Sequence, residues 1–201
     1  MATLAIDTAG FACSVALYDG QDILAERHEV IQRGHAERLM PLIADLPDGG
    51  RADRIIVGCG PGSFTGVRVG IAAARALGLG WNIPVTGCES LTLLAAGYFE
   101  SCPTATTVTV VVEGGHGEVF VQPFNNAPLT ARAPVRSVPY ADAIALLAGH
   151  VLTGNAVERF DSSGIMAHAR AASARLLPEA LTGLFPSPHY GRAPDAKPMP
   201  V

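Results

Sequence analysis

Asp7, Thr8, Gly62, Ser63 and Glu113 are the residues of this 201-residue chain whose types suit weak contact with a nucleotide or another anion. Asp7 ends the apolar run Leu4-Ala5-Ile6, and Glu113 ends the run Val108-Thr109-Val110-Val111-Val112. A carboxylate so placed can hold magnesium, while glycine amides beside a turn can meet phosphate. Phosphoryl transfer asks for more. Thr8-Ala9 lacks the glycine of an Asp-x-Gly turn, and no lysine lies near either run. The loop from Gly60 to Arg68 has neither a lysine nor the G-x-x-x-x-G-K-[ST] spacing of a P-loop. Asp7 is accordingly read first as a turn carboxylate that accepts backbone N–H groups.

Other chemistries fit less well. A two-metal nuclease needs several converging carboxylates, and the run Arg54 to Cys59 ends without an acid. Ser63 is not in a G-x-S-x-G elbow and has no histidine near it in sequence, so helix capping explains it better. Cys13, Cys59, Cys88 and Cys102 are scattered without a C-x-x-C pair and read as buried free thiols. His28, His35, His116, His150, His168 and His189 make no H-x-x-x-H or H-E-x-x-H, so no metal site is expected.

The composition bears on partners. Fourteen basic and 18 acidic residues leave a formal charge of -4, which offers no basic footprint for a direct, strong grip on nucleic acid. No 18-residue uncharged apolar run and no signal-peptide pattern is present, so a cytoplasmic location without membrane contact is expected.

The elements around these residues centre on Gly58 to Gly80. Arg54 to Val57 reads as a strand; Gly58-Cys59-Gly60-Pro61-Gly62 stops it, and Ser63 or Thr65 can cap a helix rich in alanine, leucine and arginine. Gly66, Gly70, Ala74 and Gly78 recur every four residues and form one stripe. Three glycines cost that helix about 3 kcal/mol against alanine, so close packing must offset them. The spacing leaves two readings open: approach of a second helix, or packing on the chain's own sheet.

Residues 3 to 8, 12 to 18 and 23 to 31 are β-type runs joined by turns short enough to force antiparallel pairing. His35 to Leu46 reads as a helix, Ile83 to Thr86 as a strand and Glu89 to Phe99 as a helix. The order βββαβαβα describes a ribonuclease-H-like unit. The pattern starts again at Thr107, with a Gly-Gly-His-Gly hairpin, a third run from Pro128 to Val138, a helix from Ala141 to Ala148, a strand ending at Asn155 and a helix over 162 to 177. Asp7 then corresponds to Glu113, and Gly154-Asn155-Ala156 to Gly58-Cys59-Gly60. The expected fold is α/β: tandem ribonuclease-H-like βββαβα units in an actin-like ATPase (sugar kinase/Hsp70) architecture with a degenerate second domain. The domains are placed at 1–102 and 103–201.

The run Gly60-Pro61-Gly62-Ser63-Phe64-Thr65-Gly66-Val67-Arg68-Val69-Gly70 closely resembles the signature of the bacterial TsaB (YeaZ) family. The resemblance extends to Ile6-Asp7-Thr8, Cys13 to Leu17, His35 to Ile43, Pro84 to Leu91, Gly117 to Phe120 and the tail Tyr190 to Ala196. It implies a non-catalytic subunit that activates the homologous TsaD subunit for threonylcarbamoyl transfer to adenosine 37 of tRNAs reading codons that begin with A. It further implies that a TsaE-like ATPase joins the larger complex, that tRNA is met indirectly, and that a homodimer is expected when the partner is absent. Carried onto this chain, the partner or dimer interface comprises His35, Leu39, Leu42, Ile43, Gly66, Val67, Gly70, Ile71, Ala74, Arg75 and Gly78. No cofactor is implied beyond ATP at a partner interface. The alternative is a weak nucleotide-binding, kinase-like protein of the same fold. Two departures from the family stand out: Glu113-Gly114-Gly115-His116 replaces an Asp-Ala-Arg-Arg hairpin, and Gly191 stands where a bulky apolar residue is common.

Overall fold

The computed structural model describes residues 1–161 and 163–192. Strands β1 (Ala2–Asp7), β2 (Ala12–Asp19) and β3 (Asp22–Val30) form an antiparallel meander, and β4 (Arg54–Gly58) and β5 (Val85–Cys88) run parallel to β1. Their order is β3-β2-β1-β4-β5. The parallel crossovers carry α1 (His35–Ala44) and α2 (Phe64–Trp81), and α3 (Ser90–Ser101) follows β5. β5 begins two residues later than the apolar run suggests, because Pro84 has no amide to give a ladder and uses its carbonyl to accept from Ile55 N–H at 3.0 Å.

Strand alternation divides the first core in two. Leu4, Ile6, Val15, Leu17, Ile55 and Val57 face α1 and α2, while Ala5, Ala16, Tyr18 and Ile56 face the other way, toward α3. Both faces are covered, so β1, β2 and β4 are buried along nearly their whole length.

A second sheet repeats the plan. The hairpin β6 (Thr107–Gly115) and β7 (Glu118–Asn125) is antiparallel, β8 (Thr130–Ala131) and β9 (Arg136–Pro139) pair with β7, and β10 (Leu152–Gly154) and β11 (Ile165–Met166) continue in parallel from β6. Helix α4 (Tyr140–Leu147) covers one face over Val111, Val119, Val121, Val138 and Leu152. The shared strand order makes the chain a tandem of ribonuclease-H-like units, the actin-like architecture expected, with the second unit reduced.

The reduction overturns one expected element. Over 162 to 177 there is no α-helix among the described residues: Ile165 and Met166 make β11, and Ala171–Leu176 is a 3-10 segment. Tertiary pairing with β10 overrides alanine's helix propensity, and Pro178 follows closely after the 3-10 segment. Ser162, part of that expectation, lies outside the described residues. The third run from 128 to 138 is likewise split into β8 and β9, with Pro134 between them lacking an amide for the ladder.

After β11 the chain returns to the first sheet. Ala171 N–H donates to Ser14 Oγ at 2.9 Å, Arg170 pairs with Glu26, and Arg175 pairs with Glu100. Ala171, Ala172 and Ala174 join α3 in a cluster that includes Val108, Val110, Val112, Phe120 and Phe124 of the second sheet.

Candidate functional site

A cleft of about 790 Å3 lies between the two sheets, with Phe11, Pro61, Phe64, Leu94, Phe120 and Tyr190 among its lining residues. Gly62, Ser63 and Glu113 line it too, whereas Asp7 and Thr8 lie beneath its surface, 1% and 0% exposed. The loop after β4 is pressed onto the β1 end. A Cβ on Gly58 would fall 1.9 Å from Asp7 Oδ2, and one on Gly62 2.2 Å from the Ala9 carbonyl oxygen. Only glycine permits that approach.

Asp7 is sealed by Ser90. The Ser90 hydroxyl donates to Asp7 Oδ2 at 2.5 Å and accepts from Gly60 N–H at 3.3 Å, and Ala9 N–H donates to Asp7 Oδ1 at 3.2 Å. Burial pushes the Asp7 carboxyl from its usual 3.8 up to about 6, against the opposing pull of those hydrogen bonds. The Thr8 hydroxyl is spent on the Gly66 carbonyl at 2.7 Å, and Ser63 Oγ caps α2 by accepting from Gly66 N–H at 3.2 Å.

Glu113 has a different neighbourhood from Asp7. Its carboxylate takes the Tyr140 hydroxyl at 2.6 Å and Arg159 Nε at 2.5 Å, while its N–H donates to Asn155 Oδ1. Extending the parallel ladders places Asp7 opposite Gly58 but Val111, not Glu113, opposite Gly154. The two expected correspondences, Asp7 with Glu113 and Gly58 with Gly154, therefore do not hold together: the hairpin ends align the acids, while the parallel ladders are offset by two residues. A magnesium nucleotide fits this cleft poorly on the side of its acids, because one is sealed and the other is paired with Arg159; among the described residues the cations in the walls are Arg68 and Arg192 rather than a lysine.

The residues assigned to a partner interface lie elsewhere than expected. His35, Leu39, Leu42 and Ile43 of α1 and Gly66, Val67, Gly70, Ile71, Ala74 and Gly78 of α2 are all buried within the chain; Arg75 alone of that set is exposed. The glycine stripe faces its own sheet. A Cβ at Gly70 would lie 2.5 Å from Thr8 Oγ1, and one at Gly78 2.2 Å from Val85 Cγ2. Periodicity marks the buried stripe of a helix, and the face open to a partner is its complement. The apolar part of that complement includes Ala36, Met40, Pro41 and Ala44 on α1 and Ala72, Ala76 and Leu79 on α2, Leu79 being 86% exposed, with Glu37, Arg38, Arg68 and Arg75 exposed on the same helices.

Sequence reasoning missed the C-terminal contacts. Leu184 and Gly87 exchange backbone hydrogen bonds, His189 N–H donates to the Cys59 carbonyl at 2.8 Å, and Tyr190 stacks on Phe64 with ring centres 5.0 Å apart. Gly191 has no space for a bulky side chain because Phe120 and Pro61 fill it: a Cβ there would approach Phe120 Cε1 to 2.5 Å. The remainder of the tail motif, Ala193 to Ala196, lies outside the described residues. Cys13, Cys59 and Cys88 are buried, Cys102 is half-buried, and none is in a disulfide; burial pushes the Cys13 and Cys59 thiols up to about 11. Among the described residues no three His, Cys, Asp or Glu side chains gather as a metal site, and no helix is long and apolar enough to cross a membrane.

A family model described as TsaD, tRNA N6-adenosine threonylcarbamoyltransferase, matches residues 25–133, more than half of the chain. The tRNA threonylcarbamoyladenosine biosynthesis protein TsaB of Escherichia coli (strain K12) is 39% identical over 125 residues, covering 60% of this chain and 53% of that protein. The protein of the same name in Bacillus subtilis (strain 168) is 30% identical over 156 residues, covering 73% and 66%. YeaZ from Pseudomonas aeruginosa superposes with a TM-score of 0.71 at 27% identity, covering 87% of this chain and 89% of that one. The chain belongs to the TsaB/YeaZ family. It spans about half the length of the curated TsaB relatives from Escherichia coli and Haemophilus influenzae.

Proposed function

We propose that this chain is a non-catalytic subunit in tRNA threonylcarbamoyladenosine biosynthesis. It binds a homologous TsaD-like subunit through the outer faces of α1 and α2 and favours that subunit's active conformation. The observation that carries this reading is the uncovered apolar strip of Met40, Pro41, Ala72, Ala76 and Leu79 on two neighbouring helices. The names of the TsaB relatives support the pathway, and the TsaD family model is compatible with a homologous partner. The sealed Asp7 and the pairing of Glu113 with Arg159 support a role that requires no chemistry from this chain. Activation then rests on differential affinity: this chain must bind the active form of the partner more tightly than the inactive one. The same strip suits a second copy, so a homodimer competes with the heterodimer, and a TsaE-like ATPase joins the pair. ATP, if used, sits at the partner interface rather than in this cleft.

The test is copurification with the TsaD-like subunit of the same genome, followed by tRNA threonylcarbamoylation with and without this chain. A stoichiometric complex on which modification depends is the expected result, and Leu79→Glu weakens it while leaving the fold intact. Full modification without this chain overturns the reading.

A further inference from the structure

The exposed side of α2 is continued by residues from the far end of the chain. The Arg75 guanidinium lies 5.2 Å from the centre of the Phe185 ring. That of Arg68 lies 3.7 Å from the Phe64 ring centre, and its Nε donates to the Tyr190 hydroxyl at 2.7 Å. Helix α2 contains no acidic residue, and neither arginine has a carboxylate partner among the described residues. Phe185 is 72% exposed, although an aromatic ring under a guanidinium is well placed to be a buried anchor.

The backbone between those two rings is tied down. Gly87 N–H donates to the Leu184 carbonyl at 2.7 Å, Leu184 N–H donates back at 3.1 Å, and His189 N–H reaches the Cys59 carbonyl. Gly191 then passes between Pro61 of the first half and Phe120 of the second, at the cleft. One segment thus runs from the outer side of α2 to the mouth of the cleft.

We infer that residues 184–192 form a strap that belongs to the α2 docking surface and is tightened over the cleft when the partner binds. The inference rests on the proposed pairing with a TsaD-like subunit and commits to an acidic helix of that subunit as the occupant. Carboxylates laid along α2 meet two guanidiniums that lack them, and the same helix covers Phe185. A ring covered on both sides holds the strap at Phe185, while Arg68 holds it at Tyr190. The linkage is reciprocal: whatever fixes the strap strengthens docking, and docking fixes the strap.

The test is amide hydrogen exchange of the full chain, alone and saturated with the TsaD-like subunit, read at Leu184 and His189, together with titration calorimetry. Partner binding slows exchange at both amides about tenfold or more. Phe185→Ala keeps the wild-type circular dichroism spectrum, weakens binding about tenfold and loses the added protection. Arg75→Glu weakens binding and Arg75→Lys restores most of it. If Phe185→Ala binds as tightly as wild type, or exchange at the two amides is unchanged, the strap is refuted while the pairing stands. If Arg75→Glu binds undiminished, the acidic helix is refuted. If the wild-type chain does not bind, the pairing falls and the strap with it.

Discussion

The Ser90 hydroxyl lies 2.5 Å from Asp7 Oδ2, and of the two residues only Ser90 lines the cleft. The carboxylate that could serve a nucleotide is thereby committed to holding the β1 end against the start of α3 and the loop after β4. Its burial raises its pKa, and that has a thermodynamic sign.

In the folded chain Asp7 ionises near 6 rather than its usual 3.8. Below the lower value both states hold the proton. Between the two, the unfolded chain loses its proton first, so this group's contribution to stability falls as pH rises and is gone above the folded value. The loss is on the order of 3 kcal/mol. Urea unfolding of wild type and Asp7→Asn from about pH 4 to 8 should show the slope in the former and its removal in the latter. An identical slope in both would contradict the assignment.

Substitution along the glycine stripe should break the fold rather than an interface. Gly70→Leu drives its Cβ toward Thr8 Oγ1 and costs several kcal/mol, on the order of an overpacked core. Ala72→Glu, on the exposed side of the same helix, should melt within a few degrees of wild type. Thermal denaturation of the two variants separates the faces.

Gly191→Ala should loosen the end of the chain, because the new methyl meets Phe120 and Pro61. The His189 amide should exchange faster as a result. Adding Phe120→Val removes the obstructing ring and should restore part of the protection, a coupling that a double-mutant cycle measures.

The isolated chain should bind magnesium ATP with a Kd no tighter than about 1 mM by titration calorimetry. Micromolar, magnesium-dependent binding would revive the kinase-like reading and require Ser90 to move aside from Asp7.

The first unit was legible because its strands are continuous apolar, β-type runs, its turns are short and Ser63 announces α2 in a run of good helix formers. The same periodicity misled at the interface. Gly66, Gly70 and Gly78 have to touch something, and spacing cannot say whether that is another chain or Thr8, just past β1, and the valines Val57 of β4 and Val85 of β5. The second unit was legible in order but not in length: Ile165 and Met166 take strand geometry from β10, a partner remote in sequence. Tyr190 and Phe185 carry no periodic signal, and their places follow from Arg68 and Arg75 only once the chain has folded back.

The cluster formed by α3 and Ala171–Leu176 has a bearing on biosynthesis. The inner side of the first sheet is covered in part by residues more than 150 positions downstream of Ser14, whose hydroxyl receives the Ala171 amide. A nascent chain on the ribosome therefore carries an unfinished first half until Ala171–Leu176 emerges, and a stop codon before that segment leaves Ala5, Ala16 and Ile56 with an incomplete cover. Truncated products of this gene should be found with chaperones rather than as a free-standing first half.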